Sequence, residues 1–349
     1  MPIPPLIDAQ RAHGARYADP DAMAASNYGD PGAEYLAARS ALGLADLSYH
    51  GWIRACGADR VSYLQGQTTQ DLRPLEPGQR APAAVLTTQG TLVADLRVWA
   101  ELDYLLLELQ PAALPPALAA LERFLITEDV TLSDASSEVA LFTLLGARSA
   151  EAAAELLGCG PLPIGRTTDC QPLHAVRAHR SRTFGLESVD LLVPPEEASA
   201  VWSRLVEAIG ARPIGEDVWE TLRVEAGVPR WARDLDTTVN PLEANLLDHL
   251  SETKGCYVGQ EIIARILGRG TPAKRLMGLA SANGAPLALG NLRHEDRSVG
   301  RLTSAVTSPR FGPIGLGLLR KEVATPDQRL CLAAPDSPVE VVVRPLPFE

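Results

Sequence analysis

The run Lys254-Gly255-Cys256-Tyr257-Val258-Gly259-Gln260-Glu261 gathers a cation, a thiol and two glycines just ahead of a helix expected over Gln260 to Leu267. A thiol acts as nucleophile or metal ligand only as thiolate, and a helix N-terminus and a nearby ammonium both favour that form. Glycines at 255 and 259 permit backbone conformations denied to other residues and a close approach to a ligand. Cys256 is therefore the candidate reactive residue; the competing reading is a glycine-rich turn around a structural cysteine. The lysine adds weight to the first reading. Of 32 basic residues only Lys254, Lys274 and Lys321 are lysine, and an ammonium differs from a guanidinium in hydration, reach and ability to lose its proton.

Upstream, Leu222-Arg223-Val224-Glu225-Ala226-Gly227-Val228-Pro229 closes a second helix on a glycine. A carboxylate such as Glu225 can accept two hydrogen bonds from the amino edge of a pterin-like ring, although a helix-terminal glutamate is more often solvated surface. Asp234 and Asp236 resemble a metal-binding pair only in spacing and read as loop caps. His249 reads as a loop histidine, while Asp95 and Glu108 lie on expected strands where either face is open to them. Cys56, Cys159, Cys170, Cys256 and Cys331 include no C-x-x-C pair and His13, His50, His174, His179, His249 and His294 are scattered, so neither a disulfide framework nor a metal site is expected.

A net charge of −11 argues against a nucleic-acid partner. No apolar run is long enough for a spanning helix, and the start of the chain lacks a basic segment followed by an apolar one, so the expectation is a cytoplasmic protein without membrane contact. Dinucleotide, P-loop and G-x-S-x-G signatures are missing.

The elements that must hold these residues follow from periodicity and turn residues. Strands are expected over Trp52–Cys56, Pro82–Thr87, Thr91–Trp99 and Tyr104–Leu109, with helices over 58–64 and 113–125 and a strand over 129–132. A similar cycle follows: strand 139–145, helix 149–157, strands 174–178 and 189–193, and helix 197–209. Residues before Asp30-Pro31 read as an irregular leader, and 228–250 as a long irregular connection of the kind that often carries function. After Thr271-Pro272, short apolar runs between turn residues predict a small β-barrel. The fold class is α+β: two ferredoxin-like lobes (1–137, with the leader, and 138–270, with the thiol motif) and a C-terminal barrel (271–349).

The strings at 222–229, Asn240-Pro241-Leu242-Glu243-Ala244-Asn245 and 254–261, with Tyr63 to Asp71, Thr87 to Asp95 and Gly300 to Ala305, resemble the YgfZ-type folate-binding proteins of iron–sulfur cluster maintenance, whose hallmark is K-G-C-[YF]-x-G-Q-E. These are relatives of the glycine cleavage T-protein, an aminomethyltransferase. The resemblance implies three lobes around a central opening that receives tetrahydrofolate. It further implies Glu225 on the pterin side, Lys254 facing the folate, Arg223, Tyr257 and Gln260 as further folate contacts, and Cys256 as the thiol linked to clusters. Folate and iron–sulfur client or assembly proteins are then the implied partners. Aminomethyl transfer in the T-protein resembles a case needing an aspartate near the strand-to-helix junction of the first lobe, and Leu107 to Pro116 contains none. An accessory role is therefore expected over the alternative, a folate-dependent aminomethyltransferase or demethylase.

Overall fold

Prolines at 4 and 5 do not bar a helix, because first-turn N–H groups lack intrahelical partners anyway. The chain, described here from a computed structural model over residues 4–19, 22–169, 176–333 and 338–349, accordingly begins with α1 (Pro4–Ala12), then α2 (Pro31–Ser40) capped by the Asp30 carboxylate, which accepts from the Ala33 N–H. Cys170 and His174 lie outside the described residues. The leader is thus not irregular: Leu6 is buried in a core it shares with Trp202 and Leu205.

Strands β1 (Gly43–Asp46) and β2 (Gly51–Cys56), α3 (Arg60–Gln67), strands β3 (Arg80–Leu86), β4 (Leu92–Ala100) and β5 (Tyr104–Leu109), α4 (Leu114–Glu122) and β6 (Thr131–Asp134) come next. A second series holds β7 (Ala140–Leu145), α5 (Ser149–Leu157), β8 (Thr167–Asp169), β9 (Arg177–Thr183), β10 (Leu186–Val193), α6 (Ala198–Ser203), β11 (Arg212–Ile214) and α7 (Glu216–Glu225). The 228–250 connection contains one short 3-10 turn and leads to α8 (Gln260–Arg269). Last come β12 (Lys274–Ser281), β13 (Gly290–His294), β14 (Arg297–Ser308), β15 (Gly312–Arg320), β16 (Arg329–Leu332) and β17 (Val339–Arg344).

The result is a mixed α/β protein in which the last six strands close a barrel in the order β12-β15-β14-β13-β16-β17. One sheet runs β3-β4-β5-β2-β6 and the other β11-β1-β7-β10-β9-β8. The first holds the five strands expected over 52–132, one more than a ferredoxin-like lobe has; the second takes in β1, which runs parallel to β11 and antiparallel to β7, so the early chain packs with the later sheet. Burial patterns explain the layering. Along β4, Leu92, Ala94, Leu96 and Val98 enter the core under α3 and α4, whereas Asp95, Arg97 and Trp99 alternate onto the opposite face, toward the second sheet. The irregular connection is held by its own apolar residues: Trp231, Leu235, Val239, Leu242, Ala244 and Leu246 are buried between the first sheet's core and barrel residues Leu276, Ile314 and Leu316.

Arg80 of β3 reaches across to the second sheet, where it pairs with the buried Asp190 and donates to Ser181 Oγ at 2.7 Å. Its guanidinium sits 4.6 Å from the Trp99 ring centre. Removing one partner of such a pair strands the other charge, so Arg80→Met should lower stability by about 3 kcal/mol. Urea unfolding reads this directly, and a loss under about 1 kcal/mol would show that the latch is not holding the sheets together.

Candidate functional site

Two groups of sequence-predicted residues occupy different places. Arg223 and Glu225 sit on α7, where the sheets and barrel meet. The Arg223 side chain is 2% exposed, and each of its five N–H groups is matched. Nε and Nη2 donate to the Glu220 carboxylate (2.8 and 2.6 Å), Nη1 to Asp234 (2.8 Å) and the Val228 carbonyl (3.1 Å), and Nη2 also to Ser304 Oγ of the barrel (2.6 Å). No donor is left for a ligand, so Arg223 is a hub of the interface. Asp234 is not a solvated loop cap: it is buried and accepts from the Thr303 and Ser304 hydroxyls. Asp236 does cap its turn, accepting from the Thr238 N–H.

Glu225 is likewise buried rather than solvated. It accepts from Tyr35 Oη (2.8 Å), Arg39 Nη1 (2.8 Å) and Ser308 Oγ (2.5 Å), which ties α2, α7 and the barrel. Three donors on a carboxylate with about four lone-pair sites leave capacity for about one more N–H.

The ion-pair chain continues from Glu220 to Arg230, whose Nε donates to Gln110 Oε1 at 3.3 Å. The Gln110 amide lies 3.2 Å from His50 Nε2, and His50 Nδ1 is 2.8 Å from the Glu108 carboxylate. Glu108 also accepts from Arg97 and from Trp99 Nε1 (2.9 Å). Burial pushes the Glu108 carboxyl up, but Arg97 and His50 outweigh it and hold it far below the usual carboxylate range.

Asp95 is the exception in this saturated network. Its Oδ1 is closed off from solvent and has no hydrogen-bond partner. Burial raises its carboxyl above the ordinary aspartate range, against the opposing pull of His249, Arg97 and His50. It sits one residue before the Leu96–Leu109 pair, beside the point where β5 gives way to Gln110-Pro111. Asp95 is thus an acid on the neighbouring strand, close to the junction where Leu107 to Pro116 holds no aspartate. The legible signal was the alternation of Asp95, Arg97 and Trp99 along an otherwise apolar strand.

The second group, Lys254, Cys256, Tyr257 and Gln260, lies on the loop leading into α8. No hydrogen bond or ion pair joins it to Arg223 or Glu225 among the described residues. Lys254 is 6% exposed and points inward: Nζ donates to the carbonyls of Thr68 and Gln70, both at 2.7 Å, and lies 5.2 Å from the Tyr257 ring centre. Cys256 is exposed. Gln260 opens α8, partly exposed, and Tyr257 packs partly buried at the edge of the core. Gly259 has φ +82°, and a Cβ there would meet the Thr87 carbonyl at 2.6 Å, so this glycine seats α8 on the β3–β4 turn; Gly255 faces open space.

These features accompany a family-wide likeness. The GCVT N-terminal domain matches residues 6–252, and the glycine cleavage T-protein C-terminal barrel domain matches 274–348. The chain belongs to the glycine cleavage T-protein family. Among relatives of this family, a putative chloroplastic transferase of Arabidopsis thaliana is 32% identical over 292 residues, covering 81% of this chain and 66% of the plant protein, just under two thirds of its length. An aminomethyltransferase of Rubrobacter xylanophilus is 31% identical over 99% of this chain and 93% of its own. The T-protein fold itself is plain in the crystal structure of glycine cleavage system aminomethyltransferase T from Bartonella henselae, which superposes with a TM-score of 0.89 at 20% identity, covering 99% and 97% of the two chains. No helix among the described residues is long and apolar enough to cross a membrane.

Burial depresses the Lys254 ammonium from 10.5 to about 8. Between those values the unfolded chain holds a proton that the folded chain has released, so this residue makes stability rise with pH across that window. The stability difference between the native protein and Lys254→Met should therefore grow in favour of the native protein from pH 8 to 10.5; a difference that stays flat would contradict the burial of this ammonium.

Proposed function

We propose that the chain binds tetrahydrofolate beside Asp95 and takes part in folate-dependent one-carbon transfer of the aminomethyltransferase kind. The observation that carries this is the unpartnered, solvent-shielded Oδ1 of Asp95 on the strand that also carries the paired Arg97 and Trp99. A carboxyl in that state fits a heterocycle bearing N–H and tertiary nitrogen groups, and burial favours its protonated form. Bound folate supplies a nitrogen that carries the one-carbon unit. Asp95 would exchange a proton with that nitrogen, and Glu225 would take one N–H of the ring's amino edge with its remaining acceptor capacity. Arg223 and Arg230, with Glu220 between them, would form the rigid wall against which the ring is oriented.

A second reading rests on the thiol. Cys256 is exposed on a loop whose motif matches the YgfZ-type hallmark throughout, which favours an accessory role toward iron–sulfur enzymes, with folate bound at the same place. A cytoplasmic location goes with either reading.

Calorimetric titration with tetrahydrofolate is the first test. Heat of binding is expected for the native protein and for Cys256→Ala, and no heat for either would overturn both readings. With purified protein, Asp95→Asn should lower one-carbon transfer about 100-fold or more, the lower bound for losing a positioned proton-transfer group. Transfer by the native protein that Asp95→Asn leaves intact would remove the role given to this residue. Absence of transfer, together with lowered iron–sulfur enzyme activity in cells carrying Cys256→Ala, would select the accessory reading.

A further inference from the structure

The segments Gly66 to Gln70 and Asp248 to Val258 are far apart in sequence but laid against each other. Ser251 N–H donates to the Thr69 carbonyl (3.0 Å), Val258 N–H to the Gly66 carbonyl (3.2 Å), Thr69 Oγ1 to the His249 carbonyl (2.6 Å) and Gln70 Nε2 to the Asp248 carbonyl (2.7 Å). Lys254 Nζ closes the suture at the Thr68 and Gln70 carbonyls. The Gly66 to Gln70 side is anchored in turn: Thr69 N–H donates to the Ala84 carbonyl (3.0 Å), and Ala84 lies opposite Asp95 in the β3–β4 ladder. The thiol loop is therefore built onto the strand pair that carries Asp95.

We propose that Lys254 is the positioning residue of the Cys256 loop: its amino group, bonded to the Thr68 and Gln70 carbonyls beneath the Tyr257 ring, fixes where the thiol is presented relative to the strand pair that carries Asp95. The proposal rests on the reading of Cys256 as a functional thiol, two residues along the chain. The geometry also accounts for the choice of lysine in an arginine-rich chain. Two carbonyls converging on one point are matched by a single tetrahedral nitrogen, charged or neutral; a planar guanidinium spreads its donors over a wider fork and needs more room than a site only 6% exposed offers. Both carbonyls would otherwise lose their partner in a shielded place, where unpaired backbone groups are costly.

The test uses amide hydrogen exchange and thiol labelling on the whole protein. In Lys254→Met, exchange at Ser251 and Val258 should rise about tenfold or more, the size expected for losing a hydrogen bond from a charged donor, while barrel amides in β14 and β15 keep their native rates. The rate of Cys256 alkylation, read by mass spectrometry, should change in parallel. Lys254→Arg should behave like Lys254→Met, because a role in charge alone would be rescued by arginine and a role in shape would not. Native exchange and alkylation rates in Lys254→Arg would overturn the proposal, as would unchanged rates in Lys254→Met. The unsubstituted protein gives an independent check that needs no variant to fold. On reductive methylation, exposed Lys274 and Lys321 should react at least tenfold faster than Lys254; equal rates would overturn the buried contact. None of these readouts involves folate or a cluster, so the functional role of Cys256 can fail while the positioning role stands, and the reverse.

Discussion

Charges brought out of water must find partners, and this protein meets that demand with one continuous chain of buried and part-buried hydrogen bonds, most of them ionic. It runs from Trp99 and Glu108 in the first sheet and His50 just before β2, through Gln110 and Arg230 to Glu220 and Arg223 on α7, and ends on Asp234 and the Thr303 and Ser304 hydroxyls of the barrel. Removing one member of a buried ionic pair leaves an uncompensated charge, at a cost of about 3–5 kcal/mol. The first sheet, α7 and the barrel are thereby held in one mutual arrangement, and the Arg80–Asp190 pair adds the second sheet; any shift would strand several charges at once. Side chains tied together in this way are fixed in place by several partners each.

Against that saturation, a single carboxylate oxygen without a partner stands out. Among the described residues Asp95 has the only shielded carboxylate oxygen left unpaired. Its raised pKa follows from burial, and the cationic and imidazole groups around it only moderate the effect. The thiol loop is attached to the same strand pair through Thr69 and Ala84. The shielded Asp95 carboxyl and the exposed Cys256 thiol thus share one support in this chain of the T-protein family.

Much of this was legible in the residues. Tyr104–Leu109 and Ser149–Leu157 form the strand and helix that their periodicity predicts, and the turn-rich segment after Thr271 closes into a barrel. The first helix was hidden because a proline-rich start reads as irregular, although first-turn prolines cost a helix little. Strand β1 was hidden for a different reason: its four residues carry no pattern of their own and gain their place from pairing with β7 and β11, a tertiary effect. At the site, sequence reading picked out Arg223 and Lys254 as cations but assumed that they face a ligand. Which donors are already spent depends on partners remote in sequence, such as Ser304 for Arg223 and Thr68 for Lys254, and no local pattern encodes that. Asp95 was set aside because strand alternation alone does not say which face is solvent.

The most direct measurement is a carboxyl-carbon NMR titration of Asp95, assigned with Asp95→Asn, in the free protein and with tetrahydrofolate. The account predicts a midpoint above the ordinary aspartate range in the free protein and a shifted midpoint with tetrahydrofolate bound. An ordinary aspartate midpoint that tetrahydrofolate leaves unmoved would contradict it.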